Sequence, residues 1–390
     1  MPTTEVAAES RGSDTAGLLF LYSALVLPSL FIVDKFINSA GTMAFAGLTG
    51  LLVAASRRIR PPRTRRGEVV IAIALLVLLV VTFAVIYPHA NVHLPAAGSD
   101  DDDAYDLGAR ALLSGSSPYI ERTYLGNVLH QLPGAFLLAM PFVLLGTSAL
   151  QNLFWIPMFF LAARSECRDG RAAHLAALTL AASPVVLHQV ATGTGHIANA
   201  IYVALGLWWL SRDGRHRYIA SVAWGVTLAS RANFLMLIPI AFGWIRREAG
   251  LAEAIRSSAL TLATVAALTL PFYLAGPADF GPLEAADRLT RFDELLPHAS
   301  TLIIAAMAAA ALWFGARAST LAMLFKHCAI VQAIPVLAGT AVGLAQWHTV
   351  DLAYLSYLNF AAWFALMGWL VADRPAGPAL APAVSSQDRR

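Results

Sequence analysis

The chain has 390 residues, of which 58% are hydrophobic and only 13% are charged. A soluble protein of this length needs more polar surface, so the composition excludes an ordinary soluble domain and predicts a polytopic membrane protein. The formal net charge of +3 says little by itself. We expect the lipid bilayer, and no nucleic acid, as a partner.

Apolar stretches begin after a polar N-terminal tail (1–16), which lacks a signal-peptide pattern and is expected to stay in the cytoplasm. We expect an all-α protein of about 12 transmembrane helices. The predicted spans are 17–33, 36–55, 69–87, 148–164, 172–190, 197–211, 217–230, 232–246, 257–275, 300–316, 327–345 and 352–372. The Pro- and Ala-rich tail 373–390 is predicted to be disordered and cytoplasmic.

One further apolar stretch, 132–146, is short and contains two prolines. If it does not cross the membrane, 21 of the 27 Lys and Arg residues fall on the cytoplasmic side. If it does cross, every later loop changes side and this bias disappears. The positive-inside rule therefore predicts that 132–146 is a re-entrant or interfacial helix on the outer face.

This topology divides the chain into an accessory hairpin (17–55), a core (69–275) and C-terminal transmembrane helices (300–372). Two large loops, 88–147 and 276–299, lie on the outer side. The first contains four consecutive carboxylates, Asp100 to Asp103, followed by "AYDLGARALLSG" with helical spacing of apolar residues and Gly115 as a C-cap. We expect this segment to be an interfacial helix. Charge alone also fits a solvated acidic loop or a non-specific cation site.

The stretch "DDAYDLGARALLSGSSPY" strongly resembles the first outer loop of GT-C glycosyltransferases. In that superfamily a span leads into an Asp-Asp-x-Tyr or Asp-x-x-x-Tyr motif and then an interfacial helix. The next segment resembles the family's second interfacial segment, but has only Leu132-Pro133 where Tyr-x-Pro-Pro is usual. "GTGHIANAIYVALGLWWLSRDGRHRYIASVAWGVTLASRANFLMLIPIAF" is similar to polyprenol-phosphate-mannose-dependent members, with Asn199 and Arg231 at the matching places. The likeness covers about 69–250.

The resemblance implies an enzyme of a bacterial inner membrane, with both termini cytoplasmic. It would transfer a sugar from a polyprenyl-phosphate donor to a hydroxyl of a cell-envelope glycolipid or polysaccharide, with mannose favoured and glucose, arabinose or another pentose as alternatives. The attacking hydroxyl needs a general base, and the departing phosphate needs cationic stabilisation. Candidate bases are Asp102, Asp103 and Asp101, in that order of preference.

Arg231 interrupts an apolar run and is either a snorkelling side chain or, as the resemblance favours, a ligand of the donor phosphate. The other candidate substrate-binding residues are Tyr105, Tyr119, His196, Asn199, Arg288 and Arg291. No cofactor and no metal is expected, although His89 and His93 have the i,i+4 spacing of a divalent-cation site.

Two other functions remain open. A flippase or transporter for a lipid-linked sugar could use the same outer arginines, although no acidic residue falls in the middle of a predicted span, which argues against proton coupling. A non-catalytic membrane scaffold would give the aspartate run no role.

Overall fold

The computed structural model describes residues 17–56, 65–93, 99–166, 179, 183–212, 214–294 and 296–371, without the side chains of residues 56, 65 and 285–288. The described part is helical throughout, apart from loops and one isolated antiparallel bridge between Arg122 and Val128. The prediction of an all-α protein is confirmed for these residues.

The helices in chain order are Gly17–Phe36, Ser39–Ser56, Arg65–Ala90, Asp101–Leu113, Pro133–Leu144, Gln151–Glu166, Pro184–Thr192, His196–Arg212, Arg217–Leu228, Ile238–Ala249, Leu251–Ala275, Pro282–Thr290, Ala299–Gly315, Leu321–Trp347, Leu352–Leu355 and Asn359–Leu370. Short 3₁₀ turns lie within or between them, of which Ala232–Leu237 and Ser356–Leu358 matter below. Most of the predicted span 172–190 and the tails 1–16 and 372–390 lie outside the described residues.

Four helices of the described chain are long and apolar enough to cross a membrane: Gly17–Phe36, Arg66–Ala90, Leu251–Ala275 and Leu321–Trp347. Two bent pairs raise the number to six if each pair is one span. One of these pairs joins Pro133–Leu144 to Ser148–Glu166 with a bend of 99°, so the segment 132–146 is a helix that turns sharply away from its successor. Twelve spans remain a prediction.

The surface of the helix Arg65–Ala90 explains why these elements suit a bilayer. Val69, Val77 and Val85 expose 48%, 53% and 58% of their surface along its length. Aliphatic side chains exposed in such numbers are costly in water but not in lipid, where a helix can be apolar on all sides. These helices therefore identify an α-helical membrane protein.

The helix His196–Arg212 forms the centre of the bundle. Every residue from Ile197 to Ala204 exposes at most 1% of its surface. This helix packs against Gln151–Glu166, Arg217–Leu228 and Asn359–Leu370. Its first turn lies next to the segment that contains the aspartates, so a fully buried helix supports that end of the molecule.

The segment 99–147 is a small layer on one end of the bundle. Its acidic helix (Asp101–Leu113) packs on Pro133–Leu144, with Tyr105, Ala109 and Phe136 fully buried between them. A Cβ on Gly108 would lie 2.4 Å from the Phe136 ring, so only glycine permits this approach. The N–H of Gly134 donates to the Ala229 carbonyl at 2.7 Å, which ties the layer to the turn just before Arg231.

Candidate functional site

The acidic helix begins at Asp101, so three of the four carboxylates lie in its first turn and Asp100 is its N-cap residue. The sequence predicted a helix after the aspartates, whereas the structure includes them in it. Successive residues of a helix point about 100° apart, which directs the four carboxylates to different neighbours. The positive end of the helix dipole also favours negative charge at this place. Both effects reduce the repulsion within the run.

Asp101 is the carboxylate that faces the bundle. Its Oδ2 accepts a hydrogen bond from the Gly195 N–H at 2.7 Å. Its Oδ1 accepts from Gln131 Nε2 at 2.8 Å and from Arg231 Nη2 at 3.2 Å. His196 Nε2 lies 3.8 Å from the same oxygen. Asp101 therefore joins the segment 99–147, the central helix and the turn of Arg231.

Burial alone would raise the pKa of Asp101, but the neighbouring charges of His196 and Arg231 outweigh it. With the hydrogen bonds from Gly195 and Gln131, they hold the pKa of Asp101 below its ordinary value. Asp101 is therefore ionised at neutral pH, although its side chain is only 15% exposed.

Asp102 points to the other side of the acidic helix. It is buried, and its Oδ2 accepts from the Tyr87 hydroxyl at 2.8 Å and from the side-chain amide of Asn91. Burial is the largest influence and raises the pKa of Asp102 to about 7, against the hydrogen bond from Tyr87. Asp102 thus fastens the acidic helix to the helix Arg65–Ala90.

Asp100 and Asp103 hold the loop that follows the acidic helix. Asp100 accepts hydrogen bonds from the Thr123 hydroxyl at 2.6 Å and from Asn127 Nδ2 at 2.7 Å. Asp103 accepts from the Tyr124 N–H at 2.8 Å. Both side chains therefore bind protein groups of one loop, which is a structural task.

Arg231 lies in a break between two short helices. Its backbone is extended, with φ −151° and ψ 141°, and the 3₁₀ turn Ala232–Leu237 follows it. The guanidinium is 16% exposed and lies 5.5 Å from the Phe360 ring centroid. Because Arg231 contacts Asp101, it is a paired charge inside the protein and not a snorkelling side chain.

A buried polar network supports Arg231. In the amide orientation that satisfies its neighbours, Asn199 accepts from Arg231 Nε at 2.8 Å and donates to the Tyr202 hydroxyl at 2.6 Å. The Tyr105 hydroxyl lies 2.6 Å from the Asn199 amide. An arginine has five N–H donors, so the contacts to Asp101 and Asn199 leave donors for an oxyanion.

These groups border a cavity of about 520 Å³, within the range of small-molecule sites. Asp100, Asp101, His196, Arg231 and Arg291 all line it. Apolar side chains cover much of the remaining wall, and they include Val128, Leu289, Pro335, Val336 and Phe360. The cavity thus combines two carboxylates and two guanidinium groups with a largely apolar surface.

Of the residues predicted from the sequence, Asp101, His196, Arg231 and Arg291 line this cavity, and Tyr105 and Asn199 lie directly behind it. Asp102 and Asp103 are not among its lining residues. Tyr119 is buried and donates to the Gln131 carbonyl at 3.0 Å, so it packs behind the cavity wall. The side chain of Arg288 lies outside the described residues.

Sequence reasoning missed two partners of Asp101, Gln131 and Gly195. A Cβ on Gly195 would lie 2.5 Å from the Tyr105 ring, which requires glycine where the backbone approaches Asp101. The pair of glycines in "TGTGH" was the available signal for such a close approach. Nothing in the sequence around Gln131 distinguishes it from other polar loop residues.

His89 and His93, the pair predicted as an alternative metal site, both lie among the described residues. The His93 ring contacts the Tyr124 ring at 4.9 Å. Among the residues described, no three His, Cys, Asp or Glu side chains are close enough to share a metal ion.

Comparisons with protein-family models, with curated proteins and with solved structures find no match to this chain. The geometry of the site is therefore the basis for the functional assignment that follows.

Proposed function

We propose that the protein is a GT-C-type membrane glycosyltransferase that uses a polyprenyl-phosphate sugar as donor, with mannose as the sugar. The observation that carries the proposal is the meeting of Asp101 and Arg231 in one cavity, beside the layer of residues 99–147. Glycosyl transfer from a lipid phosphate to a hydroxyl needs a proton acceptor and a cation together at a membrane face. With twelve spans and the predicted topology, this cavity faces away from the cytoplasm in a bacterial inner membrane.

Asp101 is the general base in this mechanism, and not Asp102, which the sequence favoured. The acceptor is a hydroxyl of a cell-envelope glycolipid or polysaccharide. As its oxygen forms a bond to the anomeric carbon, its proton passes to Asp101. The bond from the anomeric carbon to the phosphate oxygen breaks, and the polyprenyl phosphate leaves with the electron pair. Attack from the face opposite to the phosphate inverts the anomeric centre.

Arg231 has two roles in this mechanism: it contacts Asp101 before the donor binds, and it contacts the phosphate afterwards. Its remaining N–H donors bind the phosphate oxygens and stabilise the charge that develops on the leaving group. The phosphate also shares the positive charge of Arg231, which together with His196 lowers the pKa of Asp101. Donor binding therefore raises the basicity of Asp101 when an acceptor proton has to be removed. No metal or other cofactor takes part in this scheme.

The test is transfer by the purified protein in liposomes, with radiolabelled polyprenyl-phosphate mannose and lipid extracts as acceptors. We expect labelled product from the wild type and a loss of about 10²- to 10⁴-fold in Asp101→Asn, the usual contribution of a general base. Asp103→Asn is the matched control, because it removes a neighbouring carboxylate that binds only the loop. Movement of the labelled lipid between leaflets without any transfer would support a flippase and overturn the proposal.

A further inference from the structure

A second cavity, of about 380 Å³, adjoins the one that contains Asp101. The two have five lining residues in common, which form the partition between them: Thr194, His196, Arg291, Tyr354 and Tyr357. His196 borders both cavities and lies 3.8 Å from Asp101 Oδ1. A group bound in the second cavity is therefore separated from Asp101 only by the side chains of this partition.

The second cavity carries little net charge. Arg291 and Asp351, which both line it, pair at 3.4 Å, and their charges offset each other. The Arg291 guanidinium is also held 4.7 Å from the Tyr354 ring centroid, which fixes it in the partition. Arg231 lines only the first cavity, so a phosphate there can meet two guanidinium groups, whereas in the second cavity it meets Arg291, which is paired with Asp351.

The other walls combine aromatic rings with uncharged polar groups. Phe31, Tyr354 and Tyr357 supply ring surfaces, and His188 and Ser356 supply hydrogen-bonding groups. A sugar ring has an apolar face of C–H groups and an edge of hydroxyls, so it matches a pocket that has aromatic surface and a few polar groups. Phe31 and Ile32 belong to the helix Gly17–Phe36, so the accessory hairpin forms part of this wall.

We propose that the second cavity binds an uncharged sugar residue of the acceptor, and that the accessory hairpin helps to select it. The inference rests on the proposed function, because it names the acceptor class of the same site. The donor phosphate occupies the first cavity beside Arg231. The acceptor hydroxyl passes the partition at His196 to reach Asp101.

Saturation-transfer NMR of the full chain in nanodiscs tests this with two probes, methyl α-mannoside and farnesyl phosphate. Ala353 lines only the second cavity and is exposed, so Ala353→Trp fills that cavity. Val128 lines only the first cavity, so Val128→Trp fills that cavity instead. We expect Ala353→Trp to weaken glycoside binding at least fivefold and to leave farnesyl phosphate unaffected, and Val128→Trp to do the reverse.

Ala278→Trp, at an exposed alanine that lines neither cavity, is the control and should change neither signal. If Ala353→Trp does not fold, Ser356→Phe blocks the same cavity from another residue. No glycoside signal in the wild type, or loss of farnesyl phosphate in Ala353→Trp, overturns the inference. Because these are binding measurements, they stay informative if the wild type transfers no sugar, an outcome that contradicts only the proposed function.

Discussion

The substitutions Asp101→Asn and Asp102→Asn should have very different effects on stability, although the two residues are neighbours. Both oxygens of Asp101 accept from N–H donors: Oδ2 from Gly195, and Oδ1 from Gln131 and Arg231. Either orientation of an asparagine amide places its NH₂ group against a donor. Asp101→Asn therefore loses at least one hydrogen bond, and Arg231 also loses its negatively charged partner.

Removing one partner of a buried ion pair costs about 3–5 kcal/mol, and at 15–16% exposure this pair is close to that limit. Asp102 differs because burial raises its pKa to about 7, so near neutral pH much of it is already uncharged. An asparagine there keeps an oxygen toward Tyr87 and removes the cost of ionising a buried carboxyl, so we expect Asp102→Asn to be at least as stable as the wild type at pH 7.

The assay is the free energy of unfolding from SDS titration of the purified variants at pH 7, followed by tryptophan fluorescence. The expected order is Asp102→Asn at or above the wild type, with Asp101→Asn about 3–5 kcal/mol below the wild type. Equal losses in the two variants, or a larger loss in Asp102→Asn, would refute the assignment of their contacts.

Three further outcomes follow from the same contacts. First, Asp102 has a higher pKa in the folded chain than in the unfolded one, so its stabilising effect is complete below about pH 4 and is lost as the pH rises through about 7. The free energy of unfolding of the wild type, relative to that of Asp102→Asn, should therefore fall between these two pH values. A difference that does not change with pH would contradict the burial of Asp102. Second, Gly195→Ala should lower the thermal midpoint of unfolding and the rate of sugar transfer, because its Cβ would lie 2.5 Å from the Tyr105 ring. Gly47→Ala is the control and should lower neither, because a Cβ there meets nothing within 4 Å. Equal midpoints for the two variants would argue against the close approach of Gly195 to Tyr105. Third, Arg231→Lys keeps the charge but loses the planar fork, so the KM for the donor should rise about tenfold or more, and an unchanged KM would remove Arg231 from the phosphate site.

Local patterns predicted the helical membrane character and the acidic helix, because hydropathy and helical spacing are properties of neighbouring residues. The pattern placed the start of that helix too late. Judged by its charge alone, "DDDD" is typical of a solvated loop. In the first turn of a helix, however, these side chains point in different directions, and the positive end of the helix dipole stabilises their negative charge.

The pairing of Asp101 with Arg231 could not be read from the sequence, because 130 residues separate them. The resemblance indicated Arg231 and the aspartate run independently, but not which carboxylate the helix turns toward the bundle. That choice depends on where the acidic helix begins and on its contact with Pro133–Leu144, both of which are tertiary properties. The second cavity depends in the same way on packing between the accessory hairpin and residues 351–358.

The pH dependence of transfer tests the central claim most directly. The acid limb of kcat/KM reports the base in the free enzyme, and the acid limb of kcat reports it with substrate bound. If Asp101 is the base and the donor phosphate takes up the charge of Arg231, the acid limb of kcat should lie at higher pH than that of kcat/KM. Coincident limbs in the wild type, or an acid limb that persists unchanged in Asp101→Asn, would contradict the account.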